Sequence, residues 1–259
     1  MAESKGELID RRDFLLKSAF FFIGSLTGLN SFSEAFASST PRIALIIDDI
    51  GHSRSIARQF LDLGVPITFA ILPHLSNSYD LAMEIHGEGQ EIILHQPMEP
   101  LNSLLDPGPG ALYVKDGQEK IITAMDQNIS SLPFIEGVNN HMGSKFTEHR
   151  SKMKEALMVI RKRGLFFIDS LTSCRSKAYQ TARRLHLVTA YRNIFLDHHP
   201  DEAYILSQLH KLKNHARRYG HAIGIGHPHP ETYRTIRHFL GGLKGSAISW
   251  VHVSRLLNA

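Results

Sequence analysis

Two adjacent aspartates interrupt an apolar run near the start of the chain, in the segment IALIIDDIGHS at 43–53. The run from Ile43 to Ile47 has the character of a buried strand, and Asp48 and Asp49 follow it directly. Two carboxylates beside a buried strand are costly unless a positive charge meets them. The pair therefore predicts a cation at the end of this strand.

Further polar side chains follow other apolar runs along the chain: His95, Asn139, Asn140, His141, Asp169, His227 and His229. Each group has an ordinary reading when it is considered alone. The aspartates could cap the helix that begins near Ser53, a lone histidine could be a hydrogen-bonded core residue, and Asn and Gly favour turns. Because this reading would have to hold at five strand ends at once, a shared site is favoured.

The elements that would position these residues are strands alternating with helices. Strand-like runs occupy 43–47, 67–72, 91–94, 137–139, 165–168, 187–190, 222–225 and 247–251. Segments with helical spacing of apolar residues lie between most of them, for example 53–64, 151–164 and 201–220. This alternation predicts an α/β fold with a parallel sheet covered on both faces.

We favour a single domain over 38–259, folded as a closed or nearly closed, distorted β/α barrel, with an open doubly wound sheet as the alternative. In a barrel, the carboxyl ends of all the strands open on one face. The polar residues that follow the strands would then converge there. The segment 96–114, which holds four prolines, fits neither a helix nor a strand and predicts a functional loop.

Carboxylates and imidazoles that converge in this way are typical of a divalent transition-metal site. Imidazole suits zinc and its neighbours, whereas magnesium and calcium prefer oxygen ligands, so zinc is the expected ion. Three protein ligands would leave one position open for water. One of the two aspartates would bind the metal, and the other would stay free to accept a proton from that water.

The region from Pro41 to the C-terminus resembles the divergent polysaccharide deacetylases, relatives of the metal-dependent esterases that remove N- or O-acetyl groups from carbohydrates. The resemblance rests on the order and spacing of six segments: IIDDIGHS, EIILHQPMEP, GVNNHMGSKFT, FFIDSLTS, NIFLD and AIGIGHPHPET. It implies a distorted barrel of about seven β/α units. It also implies that Asp48 is the catalytic base, that Asp49 is a metal ligand, and that His227 or His229 is the general acid.

The sequence departs from this family pattern at the third metal ligand. The resemblance implies two histidines four residues apart, but His95 is followed at that spacing by Glu99. We favour His141 over Glu99, because Pro97 disturbs the helical turn that would place 95 beside 99. The expected ligands are therefore Asp49, His95 and His141.

The remaining candidates are expected to contact or frame the substrate. They are Glu99, Asn140, Asp169 and His229. His227 directly follows the run AIGIG and should lie at the barrel mouth, so it is the expected acid. His229 lies between Pro228 and Pro230 and is expected to shape the turn.

The candidate metal site predicts a metal-dependent hydrolase, and the family resemblance implies that it removes acetyl groups from a carbohydrate. The altered ligand pattern leaves an alternative, a non-catalytic, metal-containing envelope protein that binds a glycan or a protein partner. A third hypothesis, glycosidic cleavage by two carboxylates, is disfavoured by the metal-type histidines.

The N-terminal residues 1–37 are predicted to be an export signal of the twin-arginine type. Arg11 and Arg12 precede an apolar stretch at 18–32, and Ala35-Phe36-Ala37 provides a small-x-small cleavage site. The stretch is shorter than the ~20 residues of a spanning helix, so no stable membrane span is expected after cleavage, and a non-cleaved anchor is the alternative. The expected location is the periplasm.

Composition limits the classes of partner. The 259 residues carry a net charge of +4, and the lysines and arginines are scattered among acidic residues rather than clustered. A nucleic-acid partner is therefore not expected. The single cysteine, Cys174, excludes an intrachain disulfide.

Overall fold

The computed structural model describes residues 40–243, 245 and 247–257, and the predicted export signal lies outside them. Nine strands are present in this part of the chain: β1 (Arg42–Ile50), β2 (Thr68–Ile71), β3 (Glu91–Met98), β4 (Ile135–Met142), β5 (Phe166–Asp169), β6 (Thr189–Tyr191), β7 (Ile194–Phe195), β8 (His221–Gly226) and β9 (Ser249–Trp250).

A helix connects each pair of consecutive strands except β6 and β7. The helices are α1 (Arg54–Leu61), α2 (Ser78–Gly87), α3 (Gln118–Ser130), α4 (Arg150–Lys162), α5 (Ala178–Arg184), α6 (Glu202–Tyr219), α7 (Pro230–Gly241) and α8 (Ser254–Leu257), with a 3₁₀ turn at Phe146–Glu148. Among the described residues, none of the helices combines the length and apolar character needed to cross a bilayer.

All the strand pairs are parallel, and the sheet order is β6-β5-β4-β3-β2-β1-β8-β7. The two outermost strands, β6 and β7, are neighbours in sequence, separated only by Arg192 and Asn193. The Arg192 amide donates to the Asp169 carbonyl of β5, and the Asn193 amide donates to the Ile223 carbonyl of β8. The segment 189–195 therefore joins the two edges of the curled sheet.

Counting the segment 189–195 as one position gives a barrel of seven strand positions. The predicted α/β fold, a distorted barrel of about seven units, is confirmed, and the open doubly wound alternative is not the one observed. Strand alternation divides the apolar residues between two layers. Ile43, Leu45 and Ile47 belong to the cluster beneath the helices, while Ala44 and Ile46 belong to a separate cluster inside the barrel.

The C-terminal segment closes the bottom of the barrel. Val253 and Leu256 belong to the interior cluster, and the Val253 amide donates to Thr68 Oγ1. The ends of β1, β3 and β4 face the opposite opening, because parallel strands all run the same way.

Several strand boundaries differ from the sequence prediction. β1, β3 and β4 extend through the polar residues that were expected to follow them, because the neighbouring strands continue the backbone ladder. The short strand β7 was not predicted. The run 247–251 contributes only β9, which pairs beside the start of β1 and is not one of the seven barrel positions.

Candidate metal and catalytic site

Both aspartates of β1 face the barrel mouth, but for different reasons. Strand alternation directs Asp48 inward, on the same face as Ala44 and Ile46, and would direct Asp49 outward. Asp49 instead has a φ of 57°, in the left-handed region that aspartate tolerates better than most residues. The ladder with β2 shifts register at this point.

The aspartates do not cap the helix that follows them. Ser53 is the N-cap residue of α1, and its hydroxyl accepts a hydrogen bond from the Ile56 amide. The ordinary reading of the aspartate pair as a helix cap is therefore not the one observed.

Three side chains present ligand atoms to one point at the barrel mouth. Asp49 Oδ1 lies 2.8 Å from His141 Nδ1 and 3.0 Å from His95 Nε2, and these two nitrogens are 3.1 Å apart. Ligand atoms bound tetrahedrally at about 2.0–2.1 Å from zinc are roughly 3.3 Å from one another. The spacing and the mixture of one carboxylate and two imidazoles fit a small divalent ion.

The charge state of Asp49 also suits a metal ligand. Its Oδ1 atom is buried and has no hydrogen bond of good geometry to the described residues, although the two ring nitrogens lie within 3.0 Å of it. Burial acts to raise the pKa of Asp49, but the facing imidazoles of His141 and His95 outweigh it and hold the pKa well below its usual range. The group is therefore an anion at neutral pH.

Asn139 links the expected base to a ligand histidine. Its amide nitrogen donates to Asp48 Oδ1 over 2.7 Å, so its oxygen is the atom that accepts from His95 Nδ1, also over 2.7 Å. With Nδ1 donating to Asn139, Nε2 is the ring nitrogen of His95 that faces Asp49 and that a metal ion would use. Asn139 thus sets the tautomer that metal binding requires.

Asp48 lies just behind the three ligand atoms and is almost completely buried. Its Oδ2 atom is 3.7 Å from His95 Nε2. Burial raises the pKa of Asp48 above its ordinary value, although the imidazoles of His95 and His227 act against this shift. A carboxylate with a raised pKa is a better proton acceptor than an exposed one.

His227 is held by a buried carboxylate, Asp197. His227 Nδ1 lies 2.9 Å from Asp197 Oδ1, while the His227 amide and the Thr232 hydroxyl both donate to Asp197 Oδ2. Burial opposes protonation of the imidazole, but the bond and charge of Asp197 raise the pKa of His227 to about 9. His227 is therefore a cation at neutral pH. Its Nε2 atom lies 3.9 Å from Asp49 Oδ2.

Sequence reasoning assigned no role to Asp197 or Arg192, and it included Asn139 only among the polar residues expected at the strand ends. The signal for Asp197 was available, since it follows the apolar run IFL just as Asp169 follows LFFI. Its partner His227 is thirty positions away in the sequence, however, and only the pairing of β7 with β8 brings the two together.

A cavity of about 420 Å³ opens above these groups, within the size range of small-molecule sites. Its polar wall includes Asp48, Asn140, Arg192 and His227, and its apolar residues include Leu171. Asn140 was expected to contact substrate, and it does line the cavity. Its side chain also donates to the Met142 carbonyl and accepts from the Ser170 amide.

The structure does not bring Glu99 to the three ligand atoms. The backbone from His95 to Met98 is extended strand, so residue 99 is carried away from residue 95. The Glu99 carboxylate accepts hydrogen bonds from Lys145 Nζ and the Val114 amide, each over 2.7 Å. Glu99 therefore anchors the loop that follows β3.

Asp169 and His229 are also placed away from the cavity wall. The buried Asp169 carboxylate accepts from the Leu171 amide, the Ser176 hydroxyl and the Tyr179 amide, so it organises the loop after β5 rather than meeting a substrate. His229 is exposed and is the N-cap residue of α7, with its ring centroid 6.0 Å from that of His227.

Comparison with known proteins identifies the class to which this chain belongs. The divergent polysaccharide deacetylase family matches residues 45–257, so the chain is a member of that family. The protein YibQ of Escherichia coli K12, itself uncharacterised, is 32% identical over 232 residues, which cover 88% of this chain and 72% of YibQ.

Solved structures share the fold. An uncharacterised protein of Agrobacterium tumefaciens C58 is similar with a TM-score of 0.80 and 26% identity, over 85% of this chain and 90% of that protein. The Bc1960 peptidoglycan N-acetylglucosamine deacetylase aligns with a TM-score of 0.51 and 11% identity, over 82% of this chain and 86% of the enzyme. At that identity the second likeness supports the fold alone.

Proposed function

We propose that this protein is a periplasmic, metal-dependent hydrolase that removes acetyl groups from an acetylated carbohydrate. One observation carries the proposal: a candidate metal triad, a buried carboxylate and a carboxylate-bound histidine meet at the mouth of one barrel, around one cavity. Membership of the divergent polysaccharide deacetylase family supports the reaction class.

Asp49, His95 and His141 would hold the ion, and zinc is the first candidate because two of the three ligands are imidazoles. When bound, such an ion polarises the acyl carbonyl and lowers the pKa of a water molecule toward ~7. The cavity lies on the open side of the triad, where an acetyl group and a water molecule can approach.

Asp48 and His227 would divide the proton transfers. Asp48 accepts a proton from the water that attacks the acetyl carbonyl, and Asn139 holds its carboxylate in place during the transfer. His227 is protonated at neutral pH because of Asp197, so it can give a proton to the departing amine or hydroxyl. Water and the acetylated sugar thereby yield acetate and the free sugar.

The test combines metal analysis of the purified protein with acetate release from a panel of N- and O-acetylated oligosaccharides. We expect about one divalent ion per chain and release of acetate without new reducing ends. Asp48→Asn is the matched control, since it preserves the size of the side chain and removes the base. A fully metal-loaded protein that releases no acetate from any panel member would refute the proposal and favour a non-catalytic glycan-binding role.

A further inference from the structure

Arg192 is a positively charged residue of the cavity to which the proposed reaction gives no role. It is the only lysine or arginine among the described residues that line it. The residue lies in the segment 189–195 that joins the two edges of the sheet, so its backbone is fixed by β5 and β8. Its side chain is half-buried, and no ion pair joins it to a carboxylate within the described parts of the chain.

The guanidinium is held in one orientation. Its Nε donates to the Ser170 carbonyl over 2.7 Å, and one Nη2 hydrogen donates to the Leu171 carbonyl over 3.0 Å. The Phe195 ring lies beneath the group, with the Cζ atom 4.7 Å from the ring centroid. These bonds occupy the side of the guanidinium formed by Nε and Nη2. The end formed by Nη1 and Nη2 keeps two donors for a planar or tetrahedral oxyanion.

One carboxylate outside the metal site, that of Asp169, attracts the Arg192 guanidinium without forming an ion pair with it. Two carboxylates, Asp48 and Asp49, would balance a divalent ion, and Asp197 balances a protonated His227. Asp169 accepts hydrogen bonds from its own loop and does not line the cavity, so Arg192 still presents a positive charge to a partly desolvated cavity. Anions are favoured in such a place, because a half-buried charge gains more from an opposite charge than an exposed one does.

The position of Arg192 indicates which part of a ligand it would meet. Phe195 contacts both groups, since its ring centroid is 5.3 Å from that of His227 while its face carries the guanidinium. Arg192 and the expected proton donor to the leaving group therefore share one wall. The acetyl group would face the metal triad, so the wall of Arg192 faces the sugar.

We propose that Arg192 selects a carbohydrate that bears an anionic substituent, a carboxylate or a phosphate, on the sugar that carries the acetyl group. This inference rests on the proposed function for the identity of the ligand as an acetylated sugar. The competing explanation is structural: the two carbonyl bonds of Arg192 hold the loop at Leu171, whose φ of 49° is unusual for leucine. A structural role alone would confer no preference for anions.

The test measures dissociation constants by calorimetry for four related sugars: N-acetylglucosamine, its 6-carboxylate, its 6-phosphate and its 3-O-lactyl ether. The Asp48→Asn variant is used so that turnover does not consume the ligand. We expect at least one anionic sugar to bind about tenfold more tightly than the neutral parent, with an advantage that falls as salt is raised. The carboxylate and phosphate members distinguish the two sources of charge.

Adding Arg192→Gln should abolish the anionic advantage while leaving the affinity for N-acetylglucosamine within about twofold. Arg192→Lys keeps the positive charge but loses the paired donors of the guanidinium, so it should retain part of the anionic advantage. It replaces Arg192→Gln as the test variant if the glutamine variant does not fold. Arg175→Gln is the matched control, because Arg175 lies on the loop after β5 that Arg192 contacts but pairs with Glu148 outside the cavity.

Equal binding of all four sugars, binding of none of them, or an advantage that survives in Arg192→Gln would overturn the inference. Its failure is distinguishable from failure of the proposed function. Anionic sugars that bind through Arg192 without any acetate release in the otherwise unaltered protein would refute catalysis and leave the selection in place. Acetate release with no preference for anionic sugars would support the proposed function and refute the role of Arg192 in selecting them.

Discussion

Asp48 and Asp49 are neighbours in the sequence but occupy different chemical environments. Asp48 is buried against Asn139, and burial raises its pKa, whereas Asp49 faces two imidazoles that keep it ionised. Asp48→Asn should reduce acetate release by about 10²–10⁴-fold and leave the metal content nearly unchanged. Asp49→Asn should lose the metal as well, because a neutral amide is a poor substitute for a ligand carboxylate.

Metal analysis and acetate assays on the two purified variants check this division of roles. Thermal unfolding of each variant controls for loss of the fold. Equal loss of metal in both variants would mean that the roles of base and ligand are assigned to the wrong aspartates.

His141 and Glu99 can be distinguished by the same measurement. His141 Nδ1 lies 2.8 Å from Asp49 Oδ1, while Glu99 is occupied by Lys145 and the Val114 amide. We expect His141→Ala to purify without metal. Glu99→Gln should retain metal when it is supplied in excess, with at most the 10–100-fold loss of affinity that supporting residues produce. A metal-free Glu99→Gln protein, with His141→Ala fully loaded, would reverse the assignment.

His227 and His229 differ in their expected effect on the pH dependence of the rate. The buried Asp197 raises the pKa of His227 to about 9, and a bound cation nearby would lower that value. Since the acid must be protonated, kcat/KM should fall as pH rises through a limb at or below about pH 9. His227→Ala should remove this limb, whereas His229→Ala should keep it, because His229 is exposed at the start of α7. Loss of the limb in His229→Ala alone would exchange the two roles.

The elements around the site differ in how they place their residues. β1, β3 and β4 carry the metal triad and Asn139 at their carboxyl ends, on a continuous hydrogen-bonded ladder. The segment 189–195 has little strand of its own, yet its bonds to β5 and β8 position Arg192 and lead directly into Asp197. The sheet edges therefore supply the cavity wall that carries Arg192, and the sheet centre supplies the candidate metal site.

The N-terminal segment is predicted to act as an export signal, and this prediction can be tested separately. Arg11 and Arg12 before the apolar stretch 18–32 are the features on which twin-arginine recognition is expected to depend. Replacing both arginines by lysine should leave the precursor in the cytoplasm, as shown by fractionation and immunoblotting. Replacing Lys5 by arginine is a control that keeps the pair. Undiminished periplasmic delivery of the double-lysine variant would count against this route.

At the scale of the whole molecule, the His227–Asp197 pair should make stability depend on pH. The pKa of His227 is raised from 6.5 to about 9, so its contribution is complete below pH 6.5 and is lost as pH rises toward 9. The pKa of Asp197 is lowered, so its contribution is present above about 3.8 and is lost in acid. With a chelator present, the free energy of unfolding should fall by roughly 1–3 kcal/mol between pH 6.5 and 9.5.

Denaturant unfolding across this range checks the expectation. Asp197→Asn should flatten the decline, because His227 then has no carboxylate to raise its pKa. Glu231→Gln should not, since Glu231 is a surface residue paired with Arg234. An unchanged slope in Asp197→Asn would show that other groups control the pH dependence.

The sequence by itself determined the architecture and the general location of the chemistry. Apolar runs that alternate with amphipathic segments are local patterns, so the parallel barrel could be predicted without knowing any contact. Parallel strands share the direction of their carboxyl ends, and Asp49, His95 and His141 could therefore be grouped in advance. The proline at 97, which disfavours a helical turn, likewise pointed away from Glu99.

Only the tertiary structure decided which side chains act on one another. The left-handed backbone at Asp49, the bridge of Asn139 between Asp48 and His95, and the burial of Asp169 in its own loop depend on register. The same holds for Asp197 beside His227 and for Arg192 on the cavity wall, which the closing segment brings together. These contacts join residues far apart in the chain, and their energies arise from packing and burial that no local pattern of residues encodes.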